Sequence, residues 1–415
     1  MRYWKGALVG AMTAIVPSVS YAGGFDLTGQ PIDALFEKGN YIEGRVGVVI
    51  SDVEGSTPVG SIPAIGPALA ANGVGDSSGN IADEIRFLTL AAKTDFTDSL
   101  SGAILFDTPF ARNTTYNEGF FTGTAATVEA ETISAIARLK LGENFSVYGG
   151  PKLQNARVDL QGPFALNQPG GFSPPFTPFQ TLQIDVRDTD IGFVAGVAAE
   201  IPRLSIRAAL TYNSEFTHDF DSSETFFSAA LGDFVSLPSS FEVTTPQSLN
   251  LDLQAPLSKS TLLRGNIRYV NWDGVDFDPP NFRAANITPA NPEGLPVVEF
   301  IEDTITYRLT LAQRFNETLA GFVTGSYEES VGETPSLFKV VDGGFSVGGG
   351  VIVNVTPELR MTLGGEYRQL FGIDGQQIFA VPGTSSPTSN GIPVPDSSFG
   401  DQDAFAFSVR FGYNF

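Results

Sequence analysis

The end of the chain alternates with a period of two. Phe405, Phe407, Val409, Phe411, Tyr413 and Phe415 take one parity, and Ala404, Ala406, Ser408, Arg410, Gly412 and Asn414 take the other. A strand sends successive side chains to opposite faces, so one face of this segment is apolar and the other polar. The same rhythm sets Ile305, Tyr307, Leu309 and Leu311 against Thr304, Thr306, Arg308 and Thr310. It recurs at Leu249–Gln254, at Leu359–Gly364 and from Leu204 to Thr211. Beyond the N-terminus no stretch has the roughly 18 apolar residues of a membrane helix. Strands of this kind hide their apolar faces in a soluble sandwich or against lipid. Only a closed barrel can do the second without stranding backbone polar groups.

The connections favour the barrel. Short ones carry turn residues, at 94–98, 142–144, 201–203, 256–260, 316–318 and 356–357. Long ones are rich in Pro, Gly, Ser and Asn, at about 51–80, 110–124, 159–182, 218–241, 276–298, 329–341 and 372–401. The two kinds alternate from first strand to last, which predicts about 14 strands with both termini at the short-turn end. The tyrosines near strand ends, Tyr148, Tyr212, Tyr269, Tyr307, Tyr367 and Tyr413, are expected to form interfacial girdles. No linker divides the series. The expected fold is all-β, a 14-stranded antiparallel transmembrane β-barrel spanning 40–415.

Residues 1–22 read as a signal peptide, with Arg2 and Lys5 before a short apolar run and Ser20-Tyr21-Ala22 as the cleavage site. Without them, 22 basic residues face 46 acidic ones, which argues against nucleic-acid binding. The chain has no Cys and one His, which excludes disulfides, thiolate chemistry and a multi-histidine zinc site.

If the apolar parity meets lipid, Arg138, Lys140, Arg207, Arg264, Arg268, Arg308, Arg360, Arg368 and Arg410 face the lumen. Most are expected to pair with lumenal acids such as Asp252 and Glu366; a few could meet an anionic ligand. The long loops are unusually apolar. One carries Phe164, Phe172, Phe176 and Phe179, another Phe226, Phe227 and Phe234, and a third Ile378-Phe379. Clusters of this size mark a surface for an apolar ligand.

Gly24-Phe25-Asp26-Leu27 followed by Gly29-Gln30-Pro31-Ile32-Asp33, Gly192 to Tyr212, Ser248 to Trp272 and the closing Gly412-Tyr413-Asn414-Phe415 resemble the FadL family of outer-membrane long-chain fatty acid transporters. The resemblance implies that residues 23–39 form a hatch inside the lumen, with Phe25 and Leu27 near the ligand. It implies a ligand-collecting groove, for which Phe172, Phe176, Phe179, Phe226, Phe227 and Phe234 are the candidates, and an internal arginine after the fifth strand, for which Arg157 stands; Arg268, inward by parity, is a further candidate, and the family's basic residue after the Trp-bearing strand has Arg283 as its nearest counterpart. Arg157 has the wrong parity for the lumen unless a bulge intervenes near Pro151. It also implies a kink in the third strand that opens a lateral exit, here at Asp107, Thr108 and Pro109. Pro109 cannot donate to a sheet and is tolerated where pairing breaks, so it either marks the lateral gap or simply ends the strand. The hatch departs from the family in reading Gln30-Pro31-Ile32 for Asn-Pro-Ala, and it is short.

The expected function is passive, hatch-gated transport of long-chain fatty acids or similar hydrophobes across the bacterial outer membrane. No enzyme activity, metal or cofactor is expected. Expected partners are the hydrophobic ligand, membrane lipid and, transiently, the barrel-assembly machinery; the barrel is expected to be monomeric. The first alternative is a channel for neutral aromatic hydrocarbons, independent of the arginines. A lipid hydrolase would need a Ser–His pair, and His218, near Ser214 and Ser222, reads as a solvated strand-end residue whose loss leaves function intact. A structural or adhesive barrel would bind no lipid. Asp273, Asp276 and Asp278 read as a loop tip and not as a calcium motif, and Gly348-Gly349-Gly350 as strand glycines.

Overall fold

The computed structural model describes residues 25–61, 66–71, 73–163, 181–228, 233–285, 292–294, 296–330, 336, 338–375, 388–389, 392–393 and 397–415. Fourteen antiparallel strands close into a barrel. In chain order they are β1 (Tyr41–Asp52), β2 (Ile85–Asp95), β3 (Leu100–Thr115), β4 (Ala125–Leu141), β5 (Phe145–Pro163), β6 (Thr181–Ile201) and β7 (Ile206–Asn213). They continue as β8 (Ser248–Pro256), β9 (Thr261–Val270), β10 (Thr304–Arg314), β11 (Leu319–Glu328), β12 (Val341–Asn354), β13 (Leu359–Gly372) and β14 (Gln402–Asn414). Each pairs with its neighbours in sequence, and β14 closes on β1 from Tyr41↔Asn414 to Asp52↔Asp403. The two loop rhythms of the sequence become the two ends of the cylinder.

The alternation decides what faces out. Along β14 the odd residues Phe405, Phe407 and Phe411 are exposed, while Ala404, Ala406, Ser408 and Arg410 are buried toward the lumen. Exposed aromatics gather near both rims. Phe96, Phe145, Phe315 and Phe415 stand at the short-turn end, and Phe193, Tyr307, Tyr327 and Phe405 toward the other. Tyr148 departs from the expected girdle. It is buried on the lumenal parity, where its ring lies over Gly196, its register partner on β6. A Cβ on Gly196 would come within 2.3 Å of that ring, so glycine makes the room that lets a tyrosine turn inward. Val323, at the middle of β11 on the outer face, tests this orientation. Val323→Arg is expected to cost about 2–4 kcal/mol of barrel stability in urea refolding into vesicles.

Residues 25–39 run inside the cylinder. A short 3-10 turn, Asp33–Phe36, crosses the lumen toward the short-turn end, with Ala34 and Leu35 fully buried. The lumenal arginines hold it there. Asp33 Oδ1 accepts from Arg207 Nη2 and from Arg264 Nη2, each at 2.7 Å. The Phe36 ring lies 4.4 Å from the Arg138 guanidinium and 4.2 Å from that of Arg207, and meets Tyr148 edge-on. Nearer the long-loop end of the lumen, Arg308 and Arg368 share Glu366.

At the long-loop end, an antiparallel hairpin (Phe216–Ser228 with Asp233–Thr245) rises between β7 and β8. The single histidine lies at its base, and it is not solvated. His218 is fully buried, stacked between Phe216 and Phe220, with Nδ1 3.2 Å from Asp188 Oδ2 and Nε2 3.1 Å from Gln154 Oε1. Its hydrogen-bond partners among the described residues are these two and no serine. Burial pushes its pKa below the usual 6.5, against the pull of Asp188, Asp190 and Asp219. The ring therefore resists the proton that the detached hairpin would take up. Attachment of the hairpin should weaken as pH falls below about 6.5, read as faster amide exchange in Phe216–Thr245 at pH 5 than at pH 7.5.

Candidate ligand pocket and wall opening

The wall is incomplete at one place. β1 and β2 pair from Tyr41↔Lys93 to Val49↔Ile85. β2 and β3 pair only from Asp95↔Ser101 to Leu90↔Phe106. Beyond Phe106 the third strand turns inward while remaining bonded to β4. The cause is a bulge: between Asp107↔Thr132 and Phe110↔Ala130 the two residues Thr108 and Pro109 oppose one. The alternation of burial stops there, because Asp107 through Arg112 are buried on both parities. Pro109 therefore does not end the strand; it sits in the bulge, where its missing donor leaves no gap in the ladder. Thus Asp107, Thr108 and Pro109 lie at the bend, beside the part of β2 that has no partner on this side.

The N-terminal segment occupies the vacated edge. Ala111 N donates to Phe25 O at 3.0 Å and Leu27 N to Pro109 O at 2.7 Å, an antiparallel bridge centred on Asp26 and Phe110. Leu27 is buried against Phe87 of β2 and Ala111 of β3, filling the space between the two strands. The Phe87 ring lies over Gly47, where a Cβ would come within 2.2 Å of it.

Phe25 faces the opposite way, into an apolar pocket toward the long-loop end of the lumen. Phe25, Phe110, Trp272 and Phe300 form an aromatic cluster. Trp272 stacks on Phe300 at 4.5 Å, Phe25 meets Phe300 edge-on at 5.4 Å, and Phe110 meets Trp272 edge-on at 5.5 Å. Val128 and Val158 supply the β-sheet wall. The free space among the lining residues is about 670 Å³, including the part open to solvent. Among the described residues Trp272 Nε1 has no hydrogen-bond partner, so one donor is held in an otherwise dry surface. Asp276 is the one acid in the lining, and burial, helped by Asp278, pushes its carboxyl above the usual range.

Immediately behind Phe25 the character changes. Asp26 and Arg268 are an ion pair of 2.5 Å with almost no exposure. Arg268 Nη1 also donates to Gln30 Oε1, Ser248 Oγ and Asn250 Oδ1 at 3.0–3.2 Å. Thr28 Oγ1 donates to Asp107 Oδ2 at 3.0 Å, tying the segment to the bend.

The expected site residues are thus divided by the fold. Phe25, Leu27, Asp107, Thr108 and Pro109 come together at the opening. Arg268 lies beneath it and is taken up by Asp26. Arg157 is a correction: no bulge shifts β5 at Pro151, so it stays on the outer face, opposite Glu129 and Arg187 in register and 3.4 Å from Asp159. Phe226, Phe227 and Phe234 lie on the backbone at the hairpin tip, paired Phe226↔Val235 and Phe227↔Phe234. Phe172, Phe176 and Phe179 lie outside the described residues, as does Ile378-Phe379. Phe110 and Phe300 were not singled out from the sequence. The aromatic content of the loops was the available signal, but it does not say which rings converge.

No protein-family model matches the sequence, and no curated protein matches it. Solved structures do. A FadL homologue of Pseudomonas aeruginosa superposes with a TM-score of 0.67 at 13% identity, covering 93% of this chain and 92% of that one. The toluene transporter TodX of Pseudomonas putida gives 0.58 at 12%, covering 98% of each chain. The toluene transporter TbuX of Ralstonia pickettii gives 0.58 at 12%, covering 99% and 98%. At such identities the likeness is one of architecture, and it extends over nearly the whole chain: the protein has the FadL-type fold, a transmembrane barrel of 14 antiparallel strands.

Proposed function

We propose that the protein is a bacterial outer-membrane channel that moves hydrophobic small molecules from the outside to the bilayer or the periplasm. The observation that carries this reading is the juxtaposition of the aromatic pocket with the break between β2 and β3. A hydrophobe bound beside Phe25 lies next to the one stretch of wall whose strands are not hydrogen-bonded to each other. Capture follows from burial, worth about 0.8 kcal/mol per CH₂. Passage then requires only that Phe25–Leu27 leave the edge of β3. Long-chain fatty acids are the first substrate reading. Neutral aromatics are the second, favoured by the aromatic lining and by the toluene transporters that share the fold. Recognition by the barrel-assembly machinery goes with the alternating apolar strand that carries Phe411, Tyr413 and Phe415.

The test is uptake of labelled oleate and labelled toluene by cells lacking their own transporters. Expression of the chain should raise accumulation of at least one. If neither rises with the barrel in the outer membrane, the transport reading is wrong.

A further inference from the structure

Across four neighbouring strands one row of lumenal side chains consists of hydrogen-bond donors. Arg45 of β1 lies opposite Thr89 of β2 on one side and opposite Arg410 of β14 on the other. Arg410 in turn lies opposite Thr362 of β13. All four are buried, with 2–5% exposed. Like charges directly opposite each other destabilise a sheet, because the Cβ atoms of register partners are only about 5 Å apart. Among the described residues Arg45 Nε, Thr89 Oγ1 and Thr362 Oγ1 have no hydrogen-bond partner. Unsatisfied buried groups standing side by side call for a shared partner.

The acids nearby are engaged elsewhere. Glu43, one row toward the short-turn end, accepts from the Tyr41 hydroxyl at 2.8 Å and lies 3.5 Å from Arg410 Nη1. Asp33 accepts from Arg207 and Arg264, and Glu37 meets Arg360 at 3.5 Å. Asp233, Glu333 and Asp396, whose side chains are outside the described residues, belong to the long loops. Arg45 is seven residues down β1 from that end, about 23 Å along the strand.

The layers above and below the row limit what it can receive. The next row toward the long-loop end is Gly47, Ser408 and Gly364, with little side chain to cover the two arginines. Beyond it Val49 and Ala406 pack with Leu27 and Phe87, an apolar layer on the long-loop side of the row. A hydrophobe beside Phe25 lies beyond that layer. On the other side are the charged Glu43 and Arg360, which give an acyl chain no apolar surface to lie on.

We infer that the Thr89–Arg45–Arg410–Thr362 row is a binding site for a small inorganic oxyanion of the phosphate or sulfate kind. Guanidinium forks match pairs of oxyanion oxygens, and the two hydroxyls donate to those that remain. Between Arg45 and Arg410 the ion replaces one repulsion by two attractions. It also leaves Asp33 to Arg207 and Arg264, because Arg45 and Arg410 are further cations in whose field Asp33 lies. The site is separate from the aromatic pocket and does not depend on the transport reading.

Calorimetric titration of the detergent-purified barrel with phosphate, sulfate, acetate and chloride, at constant ionic strength, tests this. Phosphate and sulfate should bind saturably, and at least about tenfold tighter than acetate or chloride, the worth of one further hydrogen bond to a charged group. Arg45→Gln should weaken phosphate at least about tenfold, and Arg45→Lys should keep part of the affinity. Arg45→Gln relieves a like-charge contact, so it is expected to fold. Thr89→Val combined with Thr362→Val keeps the shape of both side chains and should also weaken phosphate. Arg86→Gln, on the exposed outer face, should bind like the parent. Absence of saturable phosphate binding in the parent, or unchanged affinity in either lumenal variant, would overturn the inference. Equal affinity for acetate would mean a carboxylate station, and loss in Arg86→Gln a general surface attraction; each would overturn it too. Uptake of oleate and toluene is read separately, so transport stands or falls on its own.

Discussion

A barrel carrying Thr28→Cys and Asp107→Cys is expected to stop importing its substrate when oxidised and to recover on reduction. The two side chains meet at 3.0 Å, where the N-terminal segment touches the bend of β3. The chain has no cysteine of its own, so the engineered pair has no competitor. A disulfide there would hold Phe25–Leu27 on the edge of β3, with Leu27 filling the space between Phe87 and Ala111. Oxidised cells should accumulate labelled oleate or toluene no faster than cells without the barrel. The reduced double variant controls for the loss of Asp107. Undiminished import after verified crosslinking would mean that substrate does not leave through the opening between β2 and β3.

The second large effect concerns the Asp26–Arg268 pair. Both partners are nearly without exposure, and removing one leaves a buried charge uncompensated, a cost of about 3–5 kcal/mol. Asp26→Ala is therefore expected to release residues 25–39 from the lumen without unfolding the cylinder, whose strands pair with each other and not through this segment. Released, the lumen should conduct ions, read as stable openings in planar bilayers where the parent is silent. Replacing both partners, as Asp26→Ala with Arg268→Met, should restore much of the closed state, because an apolar pair leaves no stranded charge. Conductance equal to the parent's in Asp26→Ala would show that Asp33, held by Arg207 and Arg264, seals the lumen alone.

How much of this was visible in the residues follows from what sets each feature. The strand number, the two loop rhythms and the outward facing of β14 are local, because a period of two needs only neighbouring residues. Most lumenal arginines followed from the same rule. The rule failed where the lattice of the sheet is interrupted. One extra residue in β3 inverts parity beyond it, so Arg112 reads as outward from Leu100 onward and is in fact inward. Conversely, a bulge invoked near Pro151 to bring Arg157 inside does not exist, and Arg157 keeps the parity its neighbours dictate. Tyr148 reads as a girdle residue by its position near a strand end, but Gly196, 48 residues later, makes the space that turns it inward. His218 looked solvated because its neighbours in sequence are polar; its real surroundings are Asp188 and Gln154 from two wall strands.

The sequence by itself determined that this chain forms a closed cylinder of alternating strands, with loops long at one end and short at the other. It could do so because the side on which a strand residue lies, and the tightness of a turn, are settled within a few bonds. Only the tertiary structure decided where the cylinder is open, to which face Arg112 turns, and which aromatic rings converge on Phe25. Those depend on strand register and on contacts between residues hundreds of positions apart, such as Asp26 with Arg268, and register is a property of the closed sheet rather than of any one strand.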